Sequence, residues 1–270
     1  MISLLMERHW WTTHRFADRG SKLQTQLYVN RQPAALSVGV LGALPALGDR
    51  EPRLEWVVPL ADPSGRGAKP FAEPRGPEML RPLGIEPLRD ELIAFWPARG
   101  AVWDALAKIH FPDGTTGALL AEGKNYPREM YSTGTHAGES GSDASKQNRR
   151  QIEAAIAWTQ MQLGVTVGVD RWLQPLDPKR PSSSLYQTAN RLAYLVWLRD
   201  RGVNAWFCHL LYLDDPLHQP TGRAAWEKAL TRAERELGID DVIIPYAGHA
   251  LLPALDPEVE LAGLKSAGSG

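Results

Sequence analysis

Residues 101–130 read AVWDALAKIHFPDGTTGALLAEGKNYPREM. Two apolar runs, 101–111 and 117–126, flank Pro112-Asp113-Gly114-Thr115-Thr116, a cluster of turn formers, so the pattern predicts a β-hairpin. With the turn centred near Gly114, antiparallel pairing sets Asp104 across from Lys124 and makes Glu122 its diagonal neighbour. Strand side chains alternate between faces, so Ala118, Leu120, Glu122 and Lys124 share one face. That face changes from apolar to ionic along its length. A carboxylate and an ammonium continuing a core-facing row are costly to desolvate unless they pair, or unless a cation sits between the acids. Asp104 and Glu122 are therefore candidate ligands for such a cation.

An acid, a hairpin and then Glu-x-Lys resemble the PD-(D/E)XK nucleases, which share the restriction-endonuclease-like fold. Asp104 matches the family's first acid, Glu122 its second, Gly123 the variable position and Lys124 the lysine. The words Phe95-Trp96-Pro97, Trp103-Asp104-Ala105 and Glu122-Gly123-Lys124 are similar to those of a prokaryotic clade of the family. The chain departs from the pattern at Trp103, where proline is usual, and at Gly123, where alanine or a larger residue is usual. Neither position is a ligand, although glycine weakens a strand slightly. The resemblance implies an α/β fold with a mixed sheet core flanked by helices and an N-terminal elaboration. It also implies Mg²⁺ as cofactor, with Mn²⁺ as substitute, held by Asp104 and Glu122, and Lys124 as a catalytic residue. The helix before the hairpin often carries a further acid in this family, which makes Glu91 a third candidate ligand.

Composition bounds these expectations. A chain of 270 residues with 43% hydrophobic content fits one large domain or a core with an elaboration, and excludes disorder for most of its length. The net charge of −1 provides no global basic field for nucleic acid, so a local basic patch is required of any nucleic-acid enzyme built on this chain. The single cysteine, Cys208, allows neither an intrachain disulfide nor a cysteine metal cluster, which fits a reducing cytoplasm. The opening residues have too short an apolar run for a secretory signal, and 34–47 is too short and too broken by glycine and proline to span a bilayer. A soluble protein without a membrane partner is expected.

Along the chain, 1–87 reads as the elaboration, with Trp10 and Trp11 as core or interface residues, a strand at 54–60 and a Pro/Gly-rich extended connector at 62–87. The nuclease-like core spans 88–260, and 261–270 is a flexible tail. A short helix is predicted over 88–96, with Asp90 and Glu91 in its first turn. Residues 132–145 read as a mobile loop carrying His136, a weak candidate for proton transfer. A helix over 146–163, stopped at Gly164, places Lys146, Arg149 and Arg150 in its first turn. Cations there oppose the helix dipole, which fits either an outside anion such as a phosphate backbone or the more common solvated basic face.

The longest helix, 182–201, has serines available as caps, a buried stripe of Leu185, Ala189, Leu192 and Val196, and Gly202 as its stop. A second stripe of Gln187, Asn190, Arg191 and Tyr194 recurs at helical spacing with amide, guanidinium and phenol groups. In the family this helix packs beside the metal-binding hairpin, where Gln187 and Arg191 would orient water or hold phosphate. A strand at 203–213, a helix at 221–237 and a last strand at 242–246 continue the sheet. Asp214, Asp215 and His218 have the composition of a metal cluster but sit among turn residues, and they are left out of the site. Glu129, just past Lys124, is either a supporting residue or a solvated strand end.

The reading that follows is a metal-dependent nuclease acting on nucleic acid, DNA foremost, with a possible homodimer if both strands of a duplex are cut. A catalytically retired binding module of the same fold is the first rival. A glycosidase, suggested by 10 tryptophans and paired acids, ranks below it because such an enzyme has no use for Lys124.

Overall fold

The computed structural model describes residues 9–61 and 71–267. Five strands form one sheet: β1 (Arg53–Val58), β2 (Ala105–His110), β3 (Thr116–Lys124), β4 (Asn204–Leu213) and β5 (Ala247–Pro253), in that spatial order. Pairing is antiparallel from β1 to β3 and parallel from β3 to β5. The chain is therefore α/β with a mixed sheet flanked by helices. On one face lie α1 (Gly20–Arg31) and α2 (Pro33–Ala43), packed on Ala105, Ala107, Leu119, Ala121 and Leu210. On the other lie α3 (Arg89–Phe95), α4 (Asp143–Leu163), α5 (Tyr186–Asp200) and α6 (Arg223–Leu237), packed on Leu106, Ala118, Leu120 and Phe207. Because both faces are covered, β3 and β4 read as nearly unbroken apolar runs. The stretch expected as an N-terminal elaboration thus supplies the edge strand β1 and one whole helical layer.

The predicted hairpin forms, but its turn is centred on Asp113 and not on Gly114. The Asp113 carboxylate accepts hydrogen bonds from the Thr115 amide at 2.8 Å and its hydroxyl at 2.6 Å, and Gly114 takes the left-handed φ of 82° that closes the loop. Pairing runs from His110↔Thr116 to Ala105↔Ala121. Continued one step, this register puts Asp104 across from Glu122, correcting the expected pairing with Lys124. A one-residue move of the turn centre shifts the register by two, so every side chain keeps its predicted face.

Several boundaries differ from expectation for local reasons. The described part of the connector is not extended: Gly76–Met79 and Leu80–Leu83 are helical turns that bury Met79, Leu80 and Leu83 against the sheet. α4 begins at Asp143 because the Ser142 hydroxyl accepts the Ser145 amide at 3.2 Å. Arg149 and Arg150 accordingly lie in its second turn, and only Lys146 remains in the first, so the conflict with the dipole that pointed to an outside anion shrinks to one cation. α5 starts at Tyr186, because Ser184 is held extended by backbone bonds to Ser132. The last strand is 247–253, five residues after its expected start, since Gly248 and His249 interrupt the apolar run that marks a strand. Ala262–Ala267 of the expected tail is helical, and Leu261 is buried with Trp11, Phe16, Leu23 and Leu27. Residues 1–8 at the start of the expected elaboration, 62–70 of the expected connector and 268–270 of the expected tail lie outside the described residues. No described helix is long and apolar enough to cross a membrane.

Gly123 has a packing reason. A Cβ there would lie 2.5 Å from the Thr25 hydroxyl of α1, which itself bonds the Tyr212 hydroxyl at 2.8 Å. Glycine lets α1 close on the end of β3. Gly123→Val should lower the free energy of unfolding by about 1–3 kcal/mol, as overpacking does. Urea denaturation checks this, and an unchanged midpoint would show that α1 yields freely.

Candidate active site

β3 ends in Glu122-Gly123-Lys124, where the sheet face turns from apolar to charged under α5. Glu122, Lys124 and Arg191 are only 5%, 7% and 5% exposed. Glu122 Oε1 accepts from Lys124 Nζ at 2.8 Å, and Oε2 accepts from Arg191 Nε at 3.0 Å and Nη2 at 2.7 Å. Lys124 Nζ also donates to Gln187 Oε1 at 3.0 Å, one turn before Arg191 on α5. Arg191 Nη2 donates to the Val102 carbonyl at 2.7 Å, and the guanidinium lies 4.8 Å above the Trp103 ring. Asp104, half-buried at the start of β2, accepts the Gly123 amide on Oδ2 at 2.9 Å. The sequence-predicted Asp104, Glu122, Lys124, Gln187 and Arg191 therefore meet in one place.

Burial and the neighbouring Glu122 charge raise the Asp104 carboxyl to about 7, against the pull of Lys124 and Arg191. Burial also penalises the Glu122 carboxylate, but Arg191 and Lys124 outweigh it and hold that group below the usual range. One acid is thus fixed as an anion while the other keeps a proton near neutral pH. The divergence is the kind that separates roles in catalytic pairs.

Other predicted residues lie elsewhere. Asn190 accepts from Arg191 Nη1 and fixes its fork, so it supports the site and does not face a substrate. Tyr194 is wholly buried against Trp96 and Trp103, out of reach of a ligand. Glu91 pairs with Arg201 at 3.2 Å, ten residues beyond Arg191 on the helix register, or about 15 Å along its axis. It is not a third ligand. Arg149 is engaged by Glu153 and Asp170, Arg150 by Gln147, and Lys146 is exposed; none touches the charged quartet. Glu129 accepts the Asn125 amide at 2.7 Å and secures the end of β3. His136 bonds only Thr133 and Glu139 within its own loop. Asp215 accepts the Leu217 amide in a turn.

Two residues absent from the sequence reading join the row. Register places Glu122, His209 and His249 side by side across β3, β4 and β5, so all three share a face. His209 Nδ1 lies 3.1 Å from His249 Nδ1, and His249 Nε2 lies 3.4 Å from Glu234. Burial, with the charges of His249, Lys124 and Arg191, holds His209 well below the usual imidazole range, so it is neutral. Only knowledge of the β3–β4 pairing could have found it, since no local motif surrounds it.

Among the described residues no group of three or more His, Cys, Asp or Glu is arranged to hold a metal ion. Two hard carboxylates do match Mg²⁺, which binds through one or two acids and completes its shell with water and substrate phosphate. The proton retained by Asp104 next to Glu122 marks where a cation would relieve repulsion. Compared with known families, curated proteins and solved structures, the chain matches none.

Two measurements test this electrostatic account. Because the Asp104 carboxyl is raised in the folded state, its contribution to stability is complete below about pH 4 and is lost as pH climbs through about 7. Wild type should lose stability against Asp104→Asn across that window, at up to about 1.4 kcal/mol per pH unit, in urea titrations. Arg191→Met should cost about 3 kcal/mol or more, because Glu122 stays buried with one of its two cations gone. A loss below about 1 kcal/mol, the range of an exposed pair, would show that Glu122 is far better solvated than its burial implies.

Proposed function

We propose that this chain is a divalent-metal-dependent phosphodiesterase acting on nucleic acid, DNA foremost, in a restriction-endonuclease-like arrangement of sheet and helices. The observation that carries the reading is the pair of adjacent acids, one anionic and one protonated near neutrality, with a lysine on the same strand face. Asp104 and Glu122 would hold Mg²⁺. When bound, the ion supplies Lewis acidity that acidifies water and draws charge from phosphate oxygens. Lys124 has three N–H donors, two spent on Glu122 and Gln187, which leaves one to donate to an attacking water or to a phosphate oxygen. Gln187 fixes the ammonium so that this third donor keeps its direction. Arg191, stacked on Trp103 and bonded to Val102, keeps Glu122 ionised and its carboxylate plane fixed.

One observation favours a second reading, a retired site that binds without cutting: both Glu122 oxygens already accept from a cation. Calorimetric titration with Mn²⁺ separates the two, since a retired site binds the ion no better than Asp104→Ala does.

Labelled single- and double-stranded DNA and RNA incubated with the protein in Mn²⁺ provide the direct test. Cleavage should stop in EDTA and fall about 10²–10³-fold or more in Lys124→Ala, comparable to removing one group that stabilises transition-state charge. Cutting that survives EDTA, or that is equal in Lys124→Ala, would exclude this mechanism.

A further inference from the structure

Of the basic residues expected to bind phosphate on α4, Arg149 and Arg150 are engaged by Glu153, Asp170 and Gln147, and a second basic surface lies in a cleft elsewhere. A cleft of about 950 Å³ runs between α6, the turn after β3 and the loop ahead of α5. Arg128, Arg171, Arg180, Lys228 and Arg232 line it, in a chain whose net charge is −1. The two carboxylates in its wall are already engaged. Asp177 pairs with Arg180 at 2.8 Å, while Glu236 pairs with Arg232 at 2.8 Å and accepts the Tyr131 hydroxyl at 2.7 Å. Tyr131, its phenol pushed up to about 12 by burial and by Glu236, stays protonated and keeps that bond. Arg128 and Lys228 have no ion pair among the described residues. Arg171 turns its Nε to the Glu236 carbonyl.

Cations gathered in a concave wall without matching anions repel one another, and a polyanion laid along them removes that cost. Arginine forks match phosphate oxygens in pairs, and the exposed Ser182 adds a hydroxyl donor to the lining. A concave wall also argues against a bilayer, which presents a flat surface. Two walls of the cleft continue the chain segments that carry the site: Arg128 follows Lys124 by four residues, and Ser183 precedes Gln187 by four. Backbone bonds between Ser132 and Ser184, at 2.7 and 2.9 Å, tie these two walls together.

We infer that this cleft binds the phosphodiester backbone of a nucleic-acid strand and leads it to the acids at the end of β3. The identity of the polyanion rests on the phosphodiesterase reading, while the cleft itself rests on charge and shape. The test is binding of fluorescein-labelled single-stranded and duplex DNA to the full chain in EDTA, read by anisotropy between 50 and 200 mM salt. The double variant Arg128→Ala/Lys228→Ala should bind about tenfold more weakly at the low-salt end, with the slope of log K against log salt flattened by about two. Both sites are exposed, so thermal unfolding should match wild type. Lys146→Ala/Arg150→Ala on α4 should leave binding unchanged. An unchanged affinity and slope in the first variant, an absence of wild-type binding, or displacement of DNA by an equal charge of polyglutamate would each overturn the inference. Loss of binding in the variant alongside no cleavage in Mn²⁺ would sink the phosphodiesterase reading and leave the cleft standing; intact cleavage with unchanged variant binding would do the reverse.

Discussion

A buried Glu122 carboxylate held by Arg191 and Lys124 is the constraint around which the charged end of the sheet is built. An isolated carboxylate under a helical layer would cost several kcal/mol, and two cations at hydrogen-bond distance offset that cost only when their geometry is fixed. Each cation is in turn held by a different element. Arg191 is carried by α5 and clamped by Val102, Asn190 and the Trp103 ring; Lys124 is carried by β3 and clamped by Gln187. The ion pairs therefore lock α5 to the hairpin in rotation as well as distance. Apolar contacts such as Leu120 and Ala189 would bring the same layers together, but they tolerate sliding that a guanidinium with two donors on one carboxylate oxygen does not.

The opposite face explains why this end of β3 is rigid. Gly123 presents no side chain, so α1 closes to contact there, and the Thr25–Tyr212 hydroxyl bond joins α1 to β4 beneath the acids. Layers thus press on β3 from both sides at one level. The residues between them, Glu122 and Lys124, have little freedom to rearrange, which is the condition for a preorganised site.

Much of this was legible locally. The hairpin followed from Asp113-Gly114 between two apolar runs, and the shared face of Glu122 and Lys124 followed from strand alternation alone. Gln187 and Arg191 were visible as a polar stripe one turn apart. What failed to show depended on other parts of the chain. Tyr194 belongs to the same stripe by spacing, yet Trp96 and Trp103 enclose it, and no helical pattern in α5 reveals them. Glu91 was a candidate ligand because it is an acid on the helix before the hairpin, but it pairs with Arg201. His209 and His249 enter the row through pairing of strands separated by whole helices. The basic cleft draws on four separate stretches of sequence, so the near-zero net charge conceals it.

The quartet of Asp104, Glu122, Lys124 and Arg191 is electrically neutral only when both acids are ionised, and near neutral pH Asp104 gives up part of that balance by holding a proton. Desolvation is the reason: a half-buried carboxylate beside a second one gains less from Lys124 and Arg191 than Glu122 does, because the Glu122 oxygens sit directly on both cations. A proton and a divalent ion compete for the same electron pairs, but only the ion can be shared with Glu122 and with a third party that brings its own negative oxygens. Phosphate would be such a party, and its charge would be met by the ion, because Lys124 and Arg191 are already bonded to Glu122. Under the phosphodiesterase function proposed above, such a site would bind a metal weakly by itself and more strongly together with an anionic substrate, coupling the two affinities through the Asp104 proton.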